Sequence, residues 1–268
     1  MINHFRELWE YRELIYNLVL RDLKVRYKNS LLGILWSWLN PLLMMLVFTF
    51  VFGIMRGAAE GYHILVLSAL LPWNYFAGAV MGGTTSIVHN GHLIKKVYFP
   101  REILPISVVL SNLVNFVISL PMLLLLVLIS GIPLTGWALL LPLPILIETL
   151  FIIGVVLILS TVEVFYRDTH MLMDVGILAW FFMTPIFYTL NELPQSASIL
   201  WIENFNPQVW LYRLNPMASI INTYQDLLYR QELTALDFLG RTALTAVAIF
   251  LFGYWFFHRF SARFGEEV

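Results

Sequence analysis

The sequence predicts an all-α integral membrane protein with six transmembrane helices, an N-terminal amphipathic interface helix and a re-entrant helical segment between spans five and six. Three observations lead there. Of 268 residues, 59% are hydrophobic and 12% are charged, about half the ~25% charged share usual in soluble domains. Sixteen basic and seventeen acidic residues leave a formal charge of −1, which argues against a nucleic-acid binder and against a disordered chain. Uncharged stretches recur along the chain, and a helical span needs about 20 mainly apolar residues. Six of them take about 120 residues at that length, which leaves loops and short surface helices but no large soluble domain. Cysteine is absent, so no disulfide framework or thiolate metal site forms.

The elements follow in order. Residues 1–30 precede the first span. Within 4–29, Phe5, Leu8, Trp9, Ile15, Leu18 and Val19 recur at spacings of three and four with most charges between them. That pattern fits a helix lying in the membrane interface, or one packed on a partner protein. The charges from Arg6 to Lys28 leave no apolar core for a signal peptide, so the first span is expected to direct insertion. Span one covers about 31–54 and contains Asn40-Pro41, where proline frees a carbonyl and kinks the helix. Span two covers about 62–89, with Pro72 and Gly82-Gly83 inside it. The uncharged run Ile103–Ile147 is too long for one helix, and Gly131-Ile132-Pro133 divides it into span three (about 103–130) and span four (about 136–161). Span five covers about 171–190 and span six about 237–258, followed by a tail, 259–268. The transmembrane domain is thus 31–258.

Lys and Arg positions set the topology. With the N-terminus in the cytoplasm, twelve basic residues fall inside, in residues 1–30, at Lys95, Lys96, Arg101 and Arg167, and in the tail; Arg56, Arg213, Arg230 and Arg241 fall outside. Both termini are therefore expected in the cytoplasm. The 46-residue segment 191–236 then lies outside, too long for a bare turn. Ser198–Leu211 and Met217–Tyr229 read as short helices, too short to cross, that dip into the outer leaflet and return.

Chemistry is sparse. A phosphate-binding loop ends in Gly-Lys-[Ser/Thr], and none of the four lysines follows a glycine. There is no His-Glu-x-x-His metal motif and no Gly-x-Ser-x-Gly nucleophile turn. Energy for transport would have to come from a partner subunit or an ion gradient. Among ionisable residues only Glu148 falls mid-span, while Glu163 and Asp174 lie near the cytoplasmic ends of spans four and five. A lone carboxylate is a weak basis for proton coupling. The turn Asn90–Arg101 is short, basic and aromatic; it fits a docking element or a plain positive-inside turn. Aromatics crowd the outer end of span five and the external segment, at Trp180, Phe181, Phe182, Phe187, Tyr188, Trp201, Phe205, Trp210 and Tyr212. They suit sugar stacking or an interfacial belt.

The stretch RDLKVRYKNSLLGILWSWLNPLLMMLVFTFVFG (Arg21–Gly53) resembles the opening of type-2 ABC transporter permeases that export polysaccharides: O-antigens, capsular polysaccharides and teichoic acids. LLPWNYF (Leu70–Phe76), LIKKVYFPREILP (Leu93–Pro105), FYRD (Phe165–Asp168), TPIFY (Thr184–Tyr188) and LNPMASIINTYQDLL (Leu214–Leu228) follow in family order. The resemblance covers about residues 10–260. It implies a homodimer of permeases in the bacterial cytoplasmic membrane joined to two copies of an ABC ATPase subunit. ATP and Mg would be bound by that subunit, with no cofactor and no catalytic residue in this chain. Leu93, Ile94, Lys95, Lys96, Val97, Tyr98 and Phe99 match the family's ATPase-coupling helix, and the N-terminal helix matches another ATPase-facing element. Trp36, Trp38, Phe48, Trp180, Phe181, Phe187 and Tyr188 are the local candidates for an aromatic substrate path between two permeases. The external segment resembles a pair of re-entrant gate helices. The alternatives are an ABC permease for drugs or small lipids, a proton-coupled carrier using Glu148, and a membrane enzyme acting on lipid-linked sugars.

Overall fold

The computed structural model describes residues 9–56, 61–189, 197–199, 202–206, 214–234 and 236–268. In chain order the helices are α1 Arg12–Tyr27, α2 Trp36–Arg56, α3 Tyr62–Thr84, α4 Ser86–His89, α5 Gly91–Lys96, α6 Ile103–Ile129, α7 Pro142–Phe165, α8 Thr169–Phe182, α9 Pro216–Gln225, α10 Leu236–Ser261 and α11 Phe264–Glu267. A π-helical turn, Asp226–Arg230, continues α9. Among the described residues, five segments are long and apolar enough to cross a membrane: Gly33–Gly53, Tyr62–Thr84, Ile103–Ile129, Gly136–Phe165 and Phe238–Ser261.

The expected span five, 171–190, is not a helix of that length. Helix α8 has 14 residues and so spans about 21 Å at 1.5 Å per residue, against roughly 30 Å of hydrocarbon. Pro185 explains the stop: it has no N–H to donate and it disfavours helical geometry at Thr184. The chain nevertheless stays inside the protein, because Ile186, Phe187 and Tyr188 are buried. The external segment also departs from expectation. Ala197–Ile199 pairs antiparallel with Ile202–Phe205, where a short helix was expected over 198–211; β-branched Ile199 and Ile202 across a tight connection favour the strand pair. Residues 207–211 lie outside the described residues. The helix expected over 217–229 is present as α9 with its π turn.

Helix α3 is the hub. It contacts α2, α6, α7, α8 and α9, and 78% of its apolar stretch is buried, against 17% for α2. Small residues make that burial possible: a Cβ on Gly83 would come within 2.4 Å of Val156 Cγ1. The tightest crossing joins α7 to α10. A Cβ on Gly253 would lie 2.3 Å from Gly154 O, and one on Gly154 would lie 2.7 Å from Ile249 O. In lipid, where apolar surface alone gives helices no reason to associate, close backbone approach of this kind holds them together.

Two apolar clusters result. The larger centres on α3, with Phe76, Val80, Phe151, Ile152, Ile220 and Tyr224 among its members. The smaller gathers Leu18 of α1, Ile94 of α5, Phe99, Leu104 of α6, Phe257 of α10 and Phe264 of α11. It ties the interface helix and the basic turn to the ends of the long helices.

Asn215 joins α8 to α9. Its Oδ1 accepts from Ala218 N (3.2 Å), capping α9, and from Trp180 Nε1 (2.7 Å); its Nδ2 donates to Met183 O (3.1 Å) and Thr184 Oγ1 (3.0 Å). Pro216 follows at the first helical position, where its missing N–H costs nothing. Two outcomes follow for the purified protein's thermal unfolding. Gly253→Ala should lower the midpoint, because overpacking costs about 1–3 kcal/mol. Gly240→Ala, which meets nothing within 4 Å, should leave it unchanged or raise it; equal effects of the two would refute the close crossing. Asn215→Ala should cost about 0.5–2 kcal/mol from the cap alone, plus the penalty of the partners left unpaired.

Candidate functional site

Three features collect the chemistry: the basic turn, an aromatic face, and a polar cleft. The turn begins where Asn90 Nδ2 donates to Ser86 O at 2.8 Å and closes α4. Helix α5 follows, with Lys95 and Lys96 in its last turn, where cations suit the negative end of the helix dipole. Val97 is extended (φ −129°, ψ 135°) and ends the helix. The seven residues expected to couple then divide. Lys95, Lys96, Val97 and Tyr98 face outward, and Tyr98 is 96% exposed. Ile94 and Phe99 point inward as members of the smaller apolar cluster, with Leu93 partly buried against it. Phe99 is therefore an anchor and Tyr98 a presented surface. Arg101 ties the turn to the end of α10 by donating to Ser261 O. Beside it opens a cleft of about 490 Å³ lined by Glu10, Tyr11, Tyr98, Arg101, Glu102 and His258 among others.

The aromatic face unites only part of the expected path. Phe48 of α2 lies 5.8 Å from Phe181 and 6.1 Å from Phe187 by ring centroids, and Phe181 lies 5.9 Å from Phe187. Tyr188 packs edge-on to Phe187 at 5.3 Å. Phe52, Trp73 and Phe182 complete the cluster, and the sequence reading of the path had missed all three. For Phe52 the signal was its helical spacing of four from Phe48. Offset and edge contacts of this kind each add about 0.5–1.5 kcal/mol beyond burial. Trp180 turns away: its ring packs on Phe76 (5.0 Å) and its indole N–H is committed to Asn215. Trp38 donates to Ile118 O at 2.8 Å, toward α6. Trp36 lines the polar cleft instead.

Around this cluster the outer sides of α2 and α8 are bare. Leu43, Leu46, Val47 and Phe50 are exposed on α2, as are Leu172, Val175, Leu178 and Phe182 on α8. Asp174 is exposed on the same helix. Glu163 is buried and caps α8: its Oε2 accepts from His170 N and its Oε1 meets His170 Nδ1, both at 2.9 Å. Glu148 is fully enclosed, and Tyr224 O–H donates to its Oε2 at 2.8 Å, which fastens α9 to α7.

The polar cleft, about 340 Å³, lies between α1, α2, α3 and α6. The Tyr27 and Ser37 hydroxyls both donate to Asn115 Oδ1, with their own oxygens 2.5 Å apart. Arg26 Nη2 donates to Asn112 Oδ1 at 2.9 Å. Pro41 cannot donate to Ser37 O, and Ser119 Oγ reaches that carbonyl at 3.1 Å, sharing its proton with Asn115 O at 2.9 Å. The sequence signals were Asn40-Pro41 and the helical spacing of Asn112, Asn115 and Ser119.

Comparison with known proteins accords with this arrangement. The family described as ABC-2 type transporter matches residues 13–229. The O-antigen export system permease protein RfbA of Myxococcus xanthus is 37% identical over 252 residues, 94% of this chain and 93% of that one. Two proteins of the same name from Klebsiella pneumoniae are 32% and 30% identical over 248 residues, each covering 92% of this chain and 91% of its own. The chain belongs to the ABC-2 type transporter family, as a membrane-spanning permease.

Proposed function

We propose that this permease exports a lipid-linked polysaccharide, of O-antigen, capsular or teichoic acid type, across the bacterial cytoplasmic membrane. The observation that carries the reading is similarity to O-antigen export permeases over more than nine-tenths of both chains. Two copies of the chain pair with two ABC ATPase subunits, which hold ATP and Mg; this chain supplies no cofactor site and no catalytic residue. Both termini lie in the cytoplasm, in line with the distribution of Lys and Arg. The segment around α9 re-enters the outer leaflet, since its helix is too short to cross and the buried Glu148–Tyr224 and Asn215 contacts hold it in the bundle.

The mechanism is mechanical. ATP closes the partner subunits, and Lys95, Lys96, Val97 and Tyr98 receive the movement. Phe99 and Ile94 pass it to the smaller cluster, and α1, α6, α7 and α10 shift as a body. The bare faces of α2 and α8 meet their counterparts in the second copy, and the path opens there past Phe48, Phe181, Phe187 and Tyr188. A polymer has to slide, so weak and repeated aromatic contacts serve it better than a deep pocket. Glu148 is fully enclosed and bonded to Tyr224, and this reading assigns it to holding α9 on α7 rather than to a proton path.

Two measurements check the proposal. Tyr98→Ala should leave thermal stability unchanged and lower transport-coupled ATPase activity. Phe99→Ala should instead destabilise the protein by about 3–5 kcal/mol, as loss of a buried Phe does; a stability loss in the Tyr98 variant would contradict the division of roles. Deleting the gene should accumulate complete lipid-linked polymer on the cytoplasmic side and deplete it from the surface. Unchanged surface glycan, with a lost drug or small-lipid efflux phenotype, would replace the polysaccharide reading.

A further inference from the structure

We propose that the polar cleft between α1, α2, α3 and α6 binds the phosphate-bearing head group of a membrane lipid. Its walls carry Arg26, Asn40, Asn74, Asn112 and Asn115, with Trp36 beside them, and no carboxylate lines it. Its volume of about 340 Å³ sits at the low end of ligand pockets, about 300–1,000 Å³. It holds a head group and excludes a polymer.

Donors outnumber acceptors there. The Arg26 guanidinium makes one hydrogen bond, to Asn112 Oδ1, and has no carboxylate partner among the described residues. Asn115 Oδ1 is taken by Tyr27 and Ser37, which leaves its Nδ2 for a ligand. The side chains of Asn40 and Asn74 make no hydrogen bond among the described residues. A fixed positive charge with several free N–H donors selects an anion with many acceptor oxygens, and the planar guanidinium matches phosphate in particular.

The geometry also keeps the slot open. Asn112 is held by its own bond from Nδ2 to Val108 O at 2.8 Å, and Gly78 faces it: a Cβ there would come within 3.0 Å of Asn112 Oδ1. At the same end of α2, Leu31, Ile34 and Leu35 are exposed, Leu31 by 99%. An anion-binding pocket next to an uncovered apolar rim fits a head group whose chains lie outside in the bilayer. Binding requires no transport, so this inference stands or falls apart from the export reading.

The test uses the full chain with its ATPase partner in neutral-lipid nanodiscs. The probes are dioctanoyl phosphatidic acid, a decyl-phosphate glucoside, dioctanoylglycerol and inorganic phosphate. Both phosphate lipids should bind more tightly than dioctanoylglycerol. Arg26→Gln and Asn74→Leu should each weaken them at least tenfold. The Asn74 side chain makes no hydrogen bond among the described residues, so its variant breaks none of the fold's polar contacts; unchanged affinity in that variant would overturn the proposal. Equal binding of dioctanoylglycerol, or inorganic phosphate binding as tightly as the lipids, would also overturn it. Preference for the phosphate glucoside would identify a cargo-type lipid, and preference for phosphatidic acid a resident phospholipid.

Discussion

Inside a bilayer no water is present to satisfy a peptide group, so every interruption of a helix has to be answered by a side chain. This chain interrupts its helices often, and side chains answer several of the interruptions. Ser119 covers the Ser37 carbonyl that Pro41 frees. Asn215 takes Met183 O at the end of α8, and Gln225 Nε2 takes Pro185 O (3.1 Å) one step further on. Tyr62 O–H reaches Phe187 O at 2.7 Å, and Trp38 reaches Ile118 O. Each bond is worth only about 1 kcal/mol net, but a buried group left unpaired costs about 1–3 kcal/mol. These breakpoints are thus pinned to their neighbours.

That constraint separates a fixed body from a surface available to a second molecule. Helix α3, the Gly154–Gly253 crossing and the Glu148–Tyr224 bond knit α3, α7, α9 and α10 into one unit. The smaller apolar cluster extends the unit to α1 and to the turn at Tyr98. By contrast, α2 and α8 touch the body on one side only and leave their other sides uncovered. A push on the turn therefore meets a stiff unit, and the aromatic face is where relative motion has the fewest contacts to break.

Much of the helix order was legible in the sequence, because uncharged runs of span length and Gly/Pro punctuation carry it directly. The end of α8 was not: Pro185 sits in an aromatic, apolar run, and hydropathy reads through a proline that backbone chemistry does not. The strand pair at 197–205 was hidden for the opposite reason, since short apolar segments carry too little periodicity to separate strand from helix. Within the site, the basic turn was legible as a unit, but Tyr98 and Phe99 differ only in which way the chain faces, and tertiary packing decides that. Trp180 packs inward with its N–H committed to Asn215, a pairing across 35 residues that no local pattern shows. The polar cleft is assembled from four separate helices, and no local pattern announces such a site, although the 112–115–119 spacing placed three of its residues on one helix face.

The central claim is that nucleotide in the partner subunits moves the stiff body and opens a path at the α2 and α8 faces of two copies. The absence of native cysteine makes one measurement direct. Cysteines at Phe50 and Leu178 in the assembled transporter are cross-linked between copies with and without ATP. The account predicts efficient cross-linking without nucleotide and a clear loss when ATP is bound and hydrolysis is blocked. Cross-linking that ignores nucleotide, or none in either state, would contradict it.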